Sequence, residues 1–544
     1  MDVNPQSLVT QFSMLDWIIV GIYIVGIGYV GVHVNRYIHN VTDYMVGGRA
    51  SRWALNTASY VGTELGLVTL MYAAMDGFTR GFSFLIMPLI GMVATFYVGQ
   101  SGLVINRLRE MELLTLPEFF QKRFGKNVRV TAGIIMALSG ILNMGLFPKM
   151  GAVFVTYATG LAATPHAETV VNLVMSGLIV LVLVYTVMGG MVAVIITDYM
   201  QFVLLSIGLL TALGMTLAAD GSGWSDMIGA MVDSKGVSAF NPVHPDSYGW
   251  AFVLWMIVTG IAVGFTWGTT VSRALTAESP RAARKTYMFG APGMFVRMAI
   301  PALIAIGAFA HFSSDPALTG YFFPDGVTGT AAHPAQAMPL FLGKLLPAGL
   351  VGVVVAGLLA AFMSTHDSYF LCWASVISRD VISPLKGRPM SDREEILNTR
   401  LIIVLIGIFL LVWGLWYDLP ESVWTYMAIT GTIYVTGAAS AIVGGVYWKR
   451  ASSTGAMAAL LGGLLSISGL FLEPIQEVFP WLSVGVLGLT NFFLCVILMV
   501  IFSLVFPDKG DAGVSAAILD PSEGLGQALG THGSLGAGSR TTDN

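Results

Sequence analysis

The sequence predicts an all-α membrane protein of about thirteen transmembrane helices, arranged as a 5+5 inverted repeat with one preceding and two following helices. Three observations predict it. First, 55% of the 544 residues are hydrophobic and only 11% are charged, where an ordinary soluble domain carries about 25% charged residues. One water-soluble core cannot bury so much apolar surface, so the solvent is lipid. Second, apolar runs of about 20 residues, the length that crosses a bilayer, recur along the chain. Third, two of these runs are interrupted by small and polar residues five spans apart, as expected for two five-helix repeats of opposite topology.

The spans fall at roughly 15–35, 54–76, 81–105, 130–160, 169–188, 191–218, 250–272, 286–311, 347–377, 400–417, 422–447, 454–472 and 481–506. This divides the chain into an N-terminal extra helix and loop (1–53), a first repeat (54–218), an external loop (219–249), a second repeat (250–450), two C-terminal helices (451–509) and a flexible tail (510–544) rich in Gly, Ser and Ala. No Lys or Arg precedes Leu15, so the first run reads as a true span and not as a cleaved signal peptide. Basic loops follow the odd-numbered spans, for example Arg107, Arg109, Lys122, Arg123, Lys126 and Arg129 after the third and Arg273, Arg281, Arg284 and Lys285 after the seventh. The alternate loops carry acids such as Asp220, Asp226, Asp315, Asp418 and Glu421. Basic loops belong in the cytoplasm, which puts the N-terminus outside and the C-terminus inside the inner (plasma) membrane. A net charge of −4 offers nothing to nucleic acid, and Cys372 and Cys495 form no disulfide framework or metal-ligand spacing.

The interruptions are Gly62-Thr63-Glu64-Leu65-Gly66 in the second span and Gly260, Gly264, Thr266, Gly268, Thr269 and Thr270 in the seventh. Glycine alone also serves close helix packing. A carboxylate beside the break is harder to explain that way. Glu64, Lys149, Asp198 and Arg297 all stand well inside spans, where each costs about 2.5–3.5 kcal/mol on an insertion scale. They read as functional or as structural ion pairs. Lys149 reads as too central to reach water, while Asp198 lies near enough to a helix end for partial hydration. In the ninth span Ala361 precedes Ser364-Thr365-His366-Asp367. Two hydroxyls and a carbonyl one turn back suit a hard cation, although hydroxyls also bond back to their own helix. His366 and Asp367, as neighbours on a helix, point apart and make no catalytic dyad. No enzyme is expected.

Five motifs in order carry a family resemblance. They are Asp43-Tyr44-Met45-Val46-Gly47-Gly48-Arg49, Leu116-Pro117-Glu118-Phe119 with Arg123-Phe124-Gly125, Gly189-Gly190-Met191 through Asp198-Tyr199-Met200-Gln201, Ser272-Arg273-Ala274-Leu275-Thr276-Ala277, and the run from Ala360 to Ser368. From about 15 to 450 the chain resembles the sodium/solute symporter family. The resemblance implies the leucine-transporter-like inverted-repeat fold and Na⁺ as coupling ion. It implies Na⁺ ligands at the carbonyls of Gly62, Leu65 and Ala361 and the hydroxyls of Ser364 and Thr365, with Asp198 on the inward Na⁺ path. Thr69 and Pro88 stand where the sugar-carrying branch has Gln and Glu. Lys149 falls near a basic residue of sialic-acid carriers.

The expected function is therefore Na⁺-driven import of a small organic solute by alternating access. A carboxylate-bearing solute is favoured, with Glu64, Thr69, Lys149, Arg297 and Thr266 as its expected contacts. The alternatives are a sodium-coupled sugar or polyol symporter and a non-transporting solute sensor. The partners are the solute, Na⁺ and the lipid bilayer, with no nucleic acid and no required protein partner.

Overall fold

In a computed structural model the protein is described over residues 5–34, 45, 47–388, 390–420 and 422–508. Asp43, Tyr44 and Val46 of the signature at 43–49, Glu421, Lys509 and the 510–544 tail lie outside the described residues, as do the side chains of 188–193. The helices that position the site are α1 (Met14–Val34), α2 (Trp53–Glu64), α3 (Leu67–Arg80), α4 (Ile86–Ser101), α5 (Lys126–Met144), α6 (Phe147–Ala158), α7 (Ala167–Ala218), α8 (Gly249–Thr266), α9 (Gly268–Thr276), α10 (Pro280–Ser314), α11 (Leu350–Val376), α12 (Asp392–Trp416), α13 (Val423–Tyr447), α14 (Ser453–Gly463) and α15 (Val484–Val505).

Among the described residues eleven helical stretches are long and apolar enough to cross a bilayer. The thirteen spans read from the sequence reconcile with them in two places. Met14–Tyr29 is a shorter apolar helix, and Leu67–Ser101 runs the second half of the second span into the third. The joint in that stretch is Gly81, whose φ of 66° suits glycine.

Two other stretches differ from the sequence reading. The fourth span is not one helix. It is interrupted at Gly145-Leu146, and Pro148 sits in the first turn of α6, where its missing N–H costs nothing. The fifth and sixth spans are helical throughout as α7, yet they remain two crossings. Thr186 donates to Asp367 and Ser364 donates to Asp198. A straight helix would separate residues 186 and 198 by about 18 Å, whereas positions 364 and 367 on one helix are about 4.5 Å apart along its axis. The chain therefore turns back between them. Beyond Asp198 it runs antiparallel to α11, with Leu205 against Gly357 and Gly208 against Val354.

Helix α11 is buried along almost its whole length. Its N-terminus is capped from a distance. Asp16, fully buried in the first turn of α1, accepts the backbone N–H groups of Gly349 and Gly352, both at 2.7 Å, and the N–H and hydroxyl of Ser13. A carboxylate there satisfies two orphan donors and complements the helix dipole.

Candidate functional site

The second and seventh spans are broken at matching places. Helix α2 ends at Glu64, Leu65 leaves the helical conformation with ψ 39°, and Gly66 opens α3. A Cβ on Gly66 would lie 2.3 Å from Thr365 Oγ1, so only glycine lets the break approach α11. Helix α8 ends at Thr266, Trp267 is extended with ψ 123°, and α9 follows. Tyr287 of α10 ties the two halves by donating to the carbonyls of Gly264 and Thr270.

Two ion pairs flank the first break. Arg297 Nη1 lies 2.8 Å from Glu64 Oε2 and also donates to the Glu64 carbonyl at 2.5 Å, while Thr270 donates to Glu64 Oε1 at 2.7 Å. On the other side Asp198 accepts from Ser59 (2.7 Å), Thr63 (3.0 Å), Arg273 (3.0 Å) and Ser364. Arg273 also donates to Ser368 at 2.8 Å and to Thr63. Asp198 and Arg273 are both fully buried. The expected partial hydration of Asp198 is thus replaced by a sealed pair. The sequence reading left Arg273 in a basic loop, but the break extends the seventh span by one more short helix and carries the guanidinium into the interior. That extension was the available signal.

The hydroxyls named in the ninth span meet the same break. Ser364 bonds Asp198, and Thr365 donates to the Thr63 carbonyl at 3.2 Å, with Ala361 buried one turn earlier. Gly62 packs against Asp198, where a Cβ would sit 3.1 Å from the Asp198 carbonyl. Among the described residues no backbone N–H reaches the carbonyls of Gly62 or Leu65 from the next turn. Those two oxygens are released by the break, as cation ligands in a broken helix must be.

A cavity of about 190 Å³ extends from the breaks to Met87 and Trp424, at the starts of α4 and α13. Glu64, Arg297 and Thr270 line it together with Trp267 and Tyr369, which are joined by a 3.1 Å hydrogen bond. Four buried polar atoms of its lining have no hydrogen-bond partner among the described residues: Asn143 Oδ1, Thr259 Oγ1, Arg297 Nε and Trp424 Nε1. Being uncharged, Asn143, Thr259 and Trp424 gave no sequence signal.

Three expected solute contacts lie elsewhere. Lys149 donates to the Tyr417 carbonyl at 2.9 Å and to Asp418 at 3.2 Å, and Asp418 is 97% exposed. The interruption at Gly145 brings Lys149 to the loop after α12, so its ammonium meets an acid at the molecular surface instead of the cavity. Thr266 donates to the Ala262 carbonyl of its own helix. Thr69 is buried in α3 but is not among the cavity residues. Asp198 and the Ser364–Thr365 pair, by contrast, are brought together.

Beyond the sealed pair, the basic loops form a closed network. Arg129 meets Asp380 at 2.6 Å, and Arg379 bridges Glu118 and Glu395. Burial pushes the Glu118 carboxyl up, but Arg379, Arg129 and the Leu114 N–H outweigh it and hold it below its ordinary value.

Two inverted five-helix repeats, broken at their first helices around a cavity with an ion pair on its wall, define a multi-pass secondary transporter. The sequence matches the sodium:solute symporter family over residues 44–463. The chain belongs to that family, and Na⁺ is its coupling ion. It is 25% identical to the sodium/glucose cotransporter of Vibrio parahaemolyticus, over 92% of this chain and 93% of that protein. It is 22% identical to the sodium/sialic acid symporter SiaT of Proteus mirabilis, over 84% and 89%. It is 24% identical to the human sodium/myo-inositol cotransporter 2, over 86% and 70%. The solved structure of a Na⁺-coupled sialic acid symporter in a substrate-bound outward-open state shares the fold, with a TM-score of 0.72 at 19% identity over 92% of this chain and 100% of that one.

Proposed function

We propose that the protein imports a small, net-neutral, hydroxyl-rich solute, such as a sugar or polyol, together with Na⁺. The observation that carries this reading is the charge balance of the cavity. Among the described residues Arg297 is the cation on its wall, and Glu64 already neutralises it. An anionic solute would bring an uncompensated charge into a low-dielectric space, which is costly. A neutral solute leaves the pair intact and finds donors and acceptors in the unsatisfied atoms of Asn143, Thr259, Arg297 and Trp424. The aromatic rings of Tyr72 and Trp424, with centroids 5.0 Å apart, offer an apolar face beside them. The carboxylate reading depended on Lys149, which is engaged at Asp418.

In this reading Na⁺ is held by the carbonyls of Gly62, Leu65 and Ala361 and the hydroxyls of Ser364 and Thr365. Binding there fixes the break in α2–α3, which also carries Glu64 into the cavity wall. Ion and solute thus favour one arrangement of one element, which is what coupling requires. Inward movement of Na⁺ supplies about 2.3 kcal/mol per charge per 100 mV before any concentration term. The side sealed by Asp198 and Arg273 is the cytoplasmic one in this scheme, with the N-terminus outside, and Asp198 receives Na⁺ when Arg273 withdraws.

The test is counterflow in reconstituted vesicles with hexoses, inositol, sialic acid, monocarboxylates and zwitterionic amino acids, with and without Na⁺. Sodium-dependent exchange of a neutral hydroxylated solute, without exchange of the carboxylates, is the expected result. Exchange restricted to carboxylates overturns the neutral-solute reading.

A further inference from the structure

We propose that the protein holds an anionic phospholipid of its bilayer, with an acyl chain seated between α8, α13 and α15 and the head group against Lys449 and Arg450. An apolar groove of about 400 Å³ runs between these three helices, walled by Ile257, Phe265, Val443, Val496 and Met499 and closed at one end by Trp448. The helices are parallel. Gly485 and Gly488 of α15 pack on Phe252 and Trp255 of α8, and Gly444 of α13 packs on Met499. The groove therefore follows the helix axes, as a lipid chain does. From Ile257 to Phe265 it covers about 12 Å of helix, well under half of a hydrocarbon core about 30 Å thick.

What selects the occupant is the charge at the Trp448 end. Tyr447 and Trp448 end α13, in the position of an interfacial aromatic belt. Lys449 and Arg450 follow at once, both exposed and without a hydrogen-bond or ion-pair partner among the described residues. Arg123 adds a third cation at this corner, donating to the carbonyls of Gly445, Trp448 and Ala451. The acid beside them, Asp508, caps α14 through the Ser453 N–H at 2.9 Å and the Ser453 hydroxyl and offsets the charge of Arg123, which leaves Lys449 and Arg450 as the surplus at this corner. An apolar slot ending in unpaired cations at a membrane interface fits a lipid with a negative head group. The α8 wall of the slot, Ala262 and Phe265, is the last turn before the Trp267 break. An occupant there packs against the half of the seventh span that ends at the break.

Native mass spectrometry of the full chain, offered phosphatidylglycerol and phosphatidylcholine of the same acyl composition, tests the proposal. The wild-type protein is expected to retain one phosphatidylglycerol with about tenfold preference. Lys449→Ala with Arg450→Ala should abolish the preference. Val443→Trp, or Ile257→Trp from the facing helix, should fill the slot and lose the retained lipid; both positions face lipid, so at least one variant is expected to keep the wild-type melting temperature. Equal retention of the two lipids by the wild-type chain, a preference that survives loss of both cations, or retention unchanged in both tryptophan variants overturns the proposal.

Discussion

The Glu64–Arg297 and Asp198–Arg273 pairs share the first broken helix, yet their surroundings assign them opposite work. The first pair is 14% and 16% exposed on the cavity wall. The second is 0% exposed on both sides and its hydrogen-bond partners come from α2, α7, α9 and α11 at once. A pair that water reaches can exchange partners with an arriving solute at modest cost. A sealed pair joins four helices and gives way only when they part. Similar chemistry on either side of one break thus sits in two settings, a water-reached cavity wall and a sealed junction of four helices, which the proposed scheme reads as recognition and closure.

The comparison is broken most forcefully at Arg273. Arg273→Met leaves Asp198 buried without its cation, and stability should fall by about 3–5 kcal/mol. Adding Asp198→Asn should restore most of it. Thermal unfolding of the single and double variants in detergent reads this directly, and a double variant as unstable as the single one means the two side chains do not act as a pair.

Glu64→Gln and Arg297→Met come next. Each should lower sodium-dependent solute uptake about 100-fold, the scale of truncating one partner of a hydrogen-bonded charge pair at a binding surface. Their melting temperatures should fall less than that of Arg273→Met, because water reaches the charge left behind. Wild-type uptake with lowered stability would make this pair structural, like its neighbour.

Between the pairs, Ser364→Ala with Thr365→Ala should raise the Na⁺ concentration for half-maximal uptake by about tenfold, the worth of one or two lost oxygen contacts. An unchanged Na⁺ dependence removes both hydroxyls from the cation site. The smallest effect belongs to Lys149→Met. With Asp418 fully in water, stability should change by less than about 1 kcal/mol, and solute affinity measured by equilibrium binding should stay within the error of the assay. A large loss of affinity would return the cavity to an anionic solute.

The sequence made the two broken helices legible because a carboxylate is expensive in lipid and clustered glycines weaken a helix, and both leave a mark in a single chain. Glu64, Arg297 and Asp198 were visible for that reason, and the Ser364–Thr365 step was visible by its hydroxyls. Lys149 was misplaced because hydropathy does not register the interruption at Gly145. The apolar run from 130 to 160 reads as one deep helix, although 31 residues of helix would extend about 46 Å, more than a bilayer core needs. Arg273 was missed for the converse reason, since a basic residue after an apolar run reads as loop until the break is known to lengthen the span. The partners of each charge come from helices distant in sequence, and a window of neighbours carries no trace of them.

The carboxylate of Asp16 also sets a schedule. Its two N–H partners on α11 lie 333 and 336 residues downstream. At about 5–20 residues per second, a ribosome takes about 20–70 s to deliver them. During that interval the first helix is already made and its acid has only Ser13 for company. The acid stands two residues inside the start of α1, close enough to the membrane surface for water to serve it meanwhile. One residue thus meets two solvents in the life of each chain: the interface while the helix waits, and the end of α11 once the ninth span arrives. A wait of that length is tolerable near a helix end and would not be at its middle.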